Sequence, residues 1–134
     1  MLTLQPIGRV SSPLRERAQA PKQGNEGTPE ARIAFAPEVA DGLADLRAGQ
    51  EVLVLTWLDR ADRTVLRVHP RDDPALGLRG VFGTRSPDRP NPIGLHRVRI
   101  LAVESPTVLR VADLEAIDGT PVLDVKPVLD VRER

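Results

Sequence analysis

The sequence predicts a small, mainly β domain: a closed or nearly closed barrel with one short helix and no Rossmann unit. Three observations lead there. Thirteen prolines and ten glycines punctuate 134 residues, too often for a helical bundle. Short apolar runs recur between turn residues, as in barrels built from short strands. The glycines spell neither G-x-G-x-x-G nor a P-loop, so no nucleotide-binding βαβ unit is written here. At 40% hydrophobic and 28% charged, the chain can bury one core, and residues 1–134 are expected to form one domain.

Thr3–Val10 reads as the first strand, with Leu4, Ile7 and Val10 as its apolar positions. Residues 11–30 are polar and hold Pro13, Pro21, Gly24, Gly27 and Pro29. A loop of that length inside a small domain is commonly functional. Ala31–Phe35 is a short strand. Pro37–Leu46 is the helix: Pro37 suits a first turn, Val39, Leu43 and Leu46 share a face, and Gly49 can end it. Glu51–Leu58 is almost continuously apolar, as in a strand buried on both faces. Arg63–Val68 alternates, as does Arg97–Val103, where Val98, Ile100 and Ala102 share a face opposite Arg97 and Arg99. Thr107–Val111 and Val122–Val125 complete the strands, with Asp118-Gly119 as the turn signal between them.

Composition excludes several classes. With no cysteine there is no disulfide, thiolate metal site or cysteine nucleophile, and a reducing cytoplasm is the expected location. No apolar run approaches the roughly 20 residues that span a bilayer, and no signal-peptide core is present, so no membrane association is expected. Phe35, Trp57 and Phe82 are the only aromatics, too few for a stacking platform along single-stranded nucleic acid. Net charge is zero but uneven: residues 60–99 carry nine arginines against four aspartates. Such an arginine-rich middle suits phosphate or carboxylate contacts, although an arginine-heavy genome gives the same ratio.

Catalytic signatures are few. His69 and His96 are the only histidines and stand in no metal-ligand spacing, so each reads as a surface or packing residue and no metal is expected. No G-x-S-x-G elbow supports hydrolysis. The conspicuous segment is GVFGTRSPDRPNPIG, Gly80–Gly94. Pro87, Pro90 and Pro92 fix three φ angles and remove three donors. Arg85, Ser86, Asp88, Arg89 and Asn91 therefore project from a stiff backbone that loses little entropy on binding. The arginines can grip a carboxylate or phosphate, and Asn91 can read an amide or purine edge. The alternative is a rigid connection with solvated arginines. DGTPVLDVKP, Asp118–Pro127, is either a second functional segment or an ordinary hairpin with one exposed strand face.

Together, the opening IGRVSSP, the APKQG loop, GVFGTRSPDRPNPIG and DGTPVLDVKP resemble, in order, the TsaA-like family of tRNA methyltransferase O (TrmO, formerly YaeB). The resemblance implies a small β-barrel that binds S-adenosylmethionine (SAM) without a Rossmann domain. It implies a homodimer with the cofactor pocket near the subunit interface. The implied reaction is N6-methylation of N6-threonylcarbamoyladenosine, 3′ of the anticodon in threonine tRNA, with tRNA as partner. Alternatives are SAM-dependent methylation of another RNA or a small molecule, or a non-catalytic barrel that binds SAM or RNA. Carried over by position, the cofactor site comprises Gln23, Gly24, Asn25, Arg89, Ile117, Asp118, Gly119 and Thr120. Arg89 would hold the methionine carboxylate, and backbone groups of Asp118–Thr120 would clasp adenine. Arg85, Ser86, Asn91 and Asp124 are further pocket or substrate residues. Asp118, Asp124 or Asn91 would orient the attacking N–H. Two departures stand out. Trp57-Leu58-Asp59-Arg60 occupies the place of a His-Gln pair, and the chain stops after the KP motif, before the extra domain of many relatives.

Overall fold

Alternation of buried and exposed residues along strands organises the chain, as computed in a structural model that describes residues 1–16 and 27–129. β1 (Gly8–Ser11), β2 (Ala31–Phe35), β3 (Glu51–Trp57), β6 (Ile93–Ser105), β7 (Val108–Ala112) and β8 (Pro121–Pro127) close into a barrel in the order β1-β2-β7-β6-β3-β8. Every barrel pairing is antiparallel. Two short strands, β4 (Arg67–Val68) and β5 (Arg79–Gly80), pair outside it. The mainly β, non-Rossmann barrel is therefore the observed architecture.

Inward positions at period two form an aliphatic core. Ile33 of β2, Val52 and Val54 of β3, Val98 and Ile100 of β6, Leu109 and Val111 of β7, and Val122 of β8 are all buried. Each contributes about 1.5–3 kcal/mol by leaving water. Closure leaves the described barrel strands without an unpaired long edge, which is how small barrels avoid edge-to-edge association. Among the described residues no helix is long and apolar enough to cross a membrane.

Several elements differ from the sequence expectation, each for a local reason. β1 begins at Gly8, not Thr3, since Pro6 offers no N–H and Leu4 is exposed. The helix is a 3-10 segment, Pro37–Leu43, with i→i+3 bonds such as Val39 N–H to the Ala36 carbonyl. Only Leu43 in it is fully buried, too narrow an apolar stripe to sustain an α-helix. β3 buries one face alone, because Leu53, Leu55 and Trp57 point out of the barrel and stay half-exposed. Arg63–Val68 supplies only the two residues of β4. β6 is longer than expected, and its register shifts between Ile100 and Ala102. That bulge turns Ala102 to pair with Arg110 on the outer face, away from Val98 and Ile100. Finally, Asp118-Gly119 is a turn, with Gly119 at φ +85, but not a hairpin: β7 pairs with β2 and β6, whereas β8 pairs with β1 and β3.

Candidate functional site

One end of the barrel opens into a broad cleft of about 1630 Å³. Pockets for one small ligand span roughly 300–1,000 Å³, so this cleft has room for two reactants. Its walls come from the start of β6, the turn after β3, the Val68–Asp72 stretch, the Gly80–Gly94 segment and the β7–β8 connection, with Glu51 and Arg79 beside them. Arg85, Ser86 and Arg89 of the proline-rich segment meet Ile117 and Thr120 of the connection there. Two stretches roughly thirty residues apart in sequence thus share one site.

The proline-rich segment is held from within. Arg89 Nη2 donates to the carbonyls of Val81 and Thr84, the latter at 2.9 Å. Thr84 Oγ1 donates to the Val81 carbonyl and accepts from the Ser86 N–H. Arg89 therefore spans a 3-10 turn, Val81–Gly83, whose Val81 side chain is anchored in the interior at 1% exposure. Phe82, by contrast, presents its ring to the cleft at 82% exposure. Arg85 is exposed.

The Asp118–Thr120 turn is stitched to β1 and its own chain. The N–H groups of Asp118 and Gly119 donate to the carbonyls of Leu14 and Val10, and that of Thr120 to Ile117. Asp118 Oδ1 accepts from the Ser12 N–H at 3.0 Å, and Arg15 approaches its other oxygen at 3.6 Å. These three N–H groups bond within the chain, and Ile117 and Thr120 line the cleft. Asn91 and Asp124 lie outside the cleft lining. Asn91 Oδ1 accepts from Arg63, which also bonds the Pro90 carbonyl and stacks over Trp57 at 5.2 Å. Asp124, on the outer face of β8 beside Leu55, pairs with Lys126 at 3.1 Å. Gln23, Gly24 and Asn25 lie outside the described residues.

Residues 9–132 match the model of the tRNA-methyltransferase O N-terminal domain. The chain belongs to that family. A probable S-adenosyl-L-methionine-binding protein of Methanothermobacter thermautotrophicus is 44% identical over 126 residues, covering 94% of this chain and 89% of its own. An S-adenosyl-L-methionine-binding protein of Archaeoglobus fulgidus is 46% identical over 125 residues, covering 93% and 88%. Among solved structures, TrmO from Pseudomonas aeruginosa superposes with a TM-score of 0.72 at 28% identity, over 96% of this chain and 56% of that one. The chain thus spans little more than half the length of that TrmO structure.

Within this TrmO-type barrel the cleft floor holds a polar line that the sequence reading passed over. His96 on β6, only 5% exposed, places Nε2 at 2.6 Å from Thr56 Oγ1 on β3 and Nδ1 at 2.7 Å from Glu115 Oε1 in the β7–β8 connection. His96 and Glu115 both line the cleft. The signal was available: His96 is in phase with Val98 and Ile100, so a polar ring had to point into the barrel. Thr56 and Glu115 gave none, since their partner is remote in sequence. Among the described residues no group of three or more histidines, aspartates or glutamates is placed to hold a metal ion.

Proposed function

We propose that the cleft binds SAM and transfers its methyl group to N6-threonylcarbamoyladenosine beside the anticodon of threonine tRNA. The observation that carries this reading is the convergence of the Gly80–Gly94 segment with Ile117 and Thr120 on one cleft, in a chain of this family. The names of the Methanothermobacter and Archaeoglobus relatives support the cofactor. The physical fit supports it too. SAM is at once a carboxylate and a double cation, and the lining carries both signs, Arg85 and Arg89 as well as Asp113 and Glu115. The exposed ring of Phe82 offers one face for a purine.

When bound, SAM supplies an already activated methyl on its sulfonium. The protein's work is alignment, which in well-oriented pairs is worth several kcal/mol of the barrier. Arg89 fixes the Val81–Thr84 backbone, whose Phe82, Gly83 and Thr84 line the cleft together with Ile117 and Thr120. Arg85, exposed at the rim, is the residue suited to a phosphate of an incoming anticodon loop. In this reading the protein acts as a homodimer with the cofactor cleft near the subunit interface. The test is methyl transfer from radiolabelled SAM to an anticodon stem-loop with and without the threonylcarbamoyl group. Label on the modified stem-loop alone is the expected result. Label on both would move the reading to a broader RNA methyltransferase, and label on neither would remove the RNA acceptor.

A further inference from the structure

The Thr56–His96–Glu115 line is costly for a barrel whose interior is mostly aliphatic. Thr56 is fully buried and His96 nearly so. Replacing a buried polar set by apolar groups of the same shape is commonly neutral for stability, so the fold alone does not call for it. Its direction is informative. A carboxylate only accepts hydrogen bonds, so His96 Nδ1 carries a proton toward Glu115; in the neutral ring Nε2 then accepts and the Thr56 hydroxyl donates. Both ring nitrogens are thereby engaged, and no nitrogen of His96 is left to meet a reactant. Glu115 is the open end: Oε1 takes the imidazole, while the carboxylate is 20% exposed and lines the cleft.

We propose that Glu115 is the carboxylate that receives the acceptor's N–H, with His96 and Thr56 as positioning residues behind it. This rests on the methyl-transfer reading above. Glu115 takes the role that the sequence gave to Asp118, Asp124 or Asn91. Asp118 is tied to Ser12, Asp124 is on the outer face, and Asn91 carries Arg63. In the step itself, the acceptor nitrogen's electron pair forms the N–CH3 bond. The S–CH3 bond breaks with its pair remaining on sulfur, leaving S-adenosylhomocysteine. The proton lost by nitrogen passes to the second oxygen of Glu115 and from there to water.

The experiment uses the full chain, SAM and an anticodon stem-loop carrying N6-threonylcarbamoyladenosine. Glu115→Gln keeps the size and the acceptor for His96 Nδ1, so SAM affinity and KM for the stem-loop should stay within about threefold. The value of kcat should fall about 10²- to 10⁴-fold, the usual worth of one proton-transfer group. Formate should restore part of the rate to Glu115→Ala. His96→Gln should lower kcat in the wild type but add nothing in the Glu115→Gln background, since residues acting as one unit are not additive. Nitrogen-15 NMR gives a readout apart from turnover: with only two histidines, His96 should show the Nδ1–H tautomer in wild type. An unchanged kcat in Glu115→Gln, or an Nε2–H tautomer, overturns the proposal while leaving methyl transfer standing. A wild-type protein that binds SAM but methylates no acceptor overturns the methyl-transfer reading itself and the proposal with it.

Discussion

Gly94 faces Thr56 across the β3–β6 ladder, and the missing side chain is what admits the imidazole of His96. A Cβ on Gly94 would stand 2.3 Å from Thr56 Oγ1 and 2.6 Å from His96 Nε2. Neither neighbour can give way, because both are buried and hydrogen-bonded to each other. The glycine is therefore required by close packing at φ values any residue adopts.

Gly94→Ala should accordingly destabilise the fold by about 1–3 kcal/mol, the usual cost of overpacking, and break the Thr56–His96 contact. Urea unfolding with an unchanged m-value would register the first. A shift of the His96 Nε2 nitrogen-15 resonance would register the second, since that nitrogen is the one that accepts from Thr56. A variant as stable as wild type would show that the ladder can relax here.

Arg89 acts on the loop before it acts on any ligand. Its single Nη2 bridges two carbonyls from the end of a planar guanidinium, whereas a lysine ammonium must be held there on a flexible four-carbon stem. Arg89→Lys should loosen the 81–84 turn nearly as much as Arg89→Ala. Amide hydrogen exchange at Thr84, whose N–H donates to the Val81 carbonyl, should quicken at least tenfold in both. Protection retained in the lysine variant would mean that a charged donor, not the planar guanidinium, holds the turn.

Core and outer-face leucines should separate cleanly. Leu109→Ala removes a side chain of zero exposure and should cost about 2–5 kcal/mol. Leu95→Ala, at 43% exposure on the outer face of β6, should stay within about 0.5 kcal/mol. Equal costs in thermal melts would contradict the inward–outward phase of the barrel.

That phase shows how much was legible in the sequence. Ala31–Phe35 was readable to the residue, because its alternation is uninterrupted. The end of the good reading at Ala102 has a physical cause: a bulge shifts the phase by one residue and leaves no mark in an apolar stretch. At Asp118-Gly119 the turn was legible but the hairpin alternative does not hold, since a turn signal says that the chain bends but not which strands pair afterwards. The proline-rich segment stood out by its stiffness, and the structure places its Arg85, Ser86 and Arg89 on the cleft. Glu115 was invisible because what distinguishes it is one contact to a histidine nineteen positions earlier.

The outer faces of the barrel predict an acid limb of stability. Arg97 beside Glu51, and Arg32 beside Glu104, hold these carboxylates below the usual glutamate range, chiefly through direct hydrogen bonds at 2.6 Å. A carboxyl whose pKa is lower when folded stabilises fully at neutral pH. That contribution is lost as pH falls from the ordinary glutamate range through the lowered folded values. Glu51→Gln and Glu104→Gln should flatten this limb, and high salt should shrink it, because the pairs are solvent-exposed. Melting temperatures across pH 3 to 7 check it; an unchanged slope in the double variant would assign the limb elsewhere.

The most direct test is calorimetric titration of SAM into wild type, Arg89→Ala and Asp124→Ala. If the cleft is the cofactor site, wild type and Asp124→Ala bind saturably with the same affinity, since Asp124 lies on the outer face. Arg89→Ala then binds at least tenfold more weakly, as expected from losing hydrogen bonds to a charged group worth about 1.5–3 kcal/mol. Folded wild-type protein that takes up no SAM, or equal affinity in all three proteins, would contradict the assignment of this cleft.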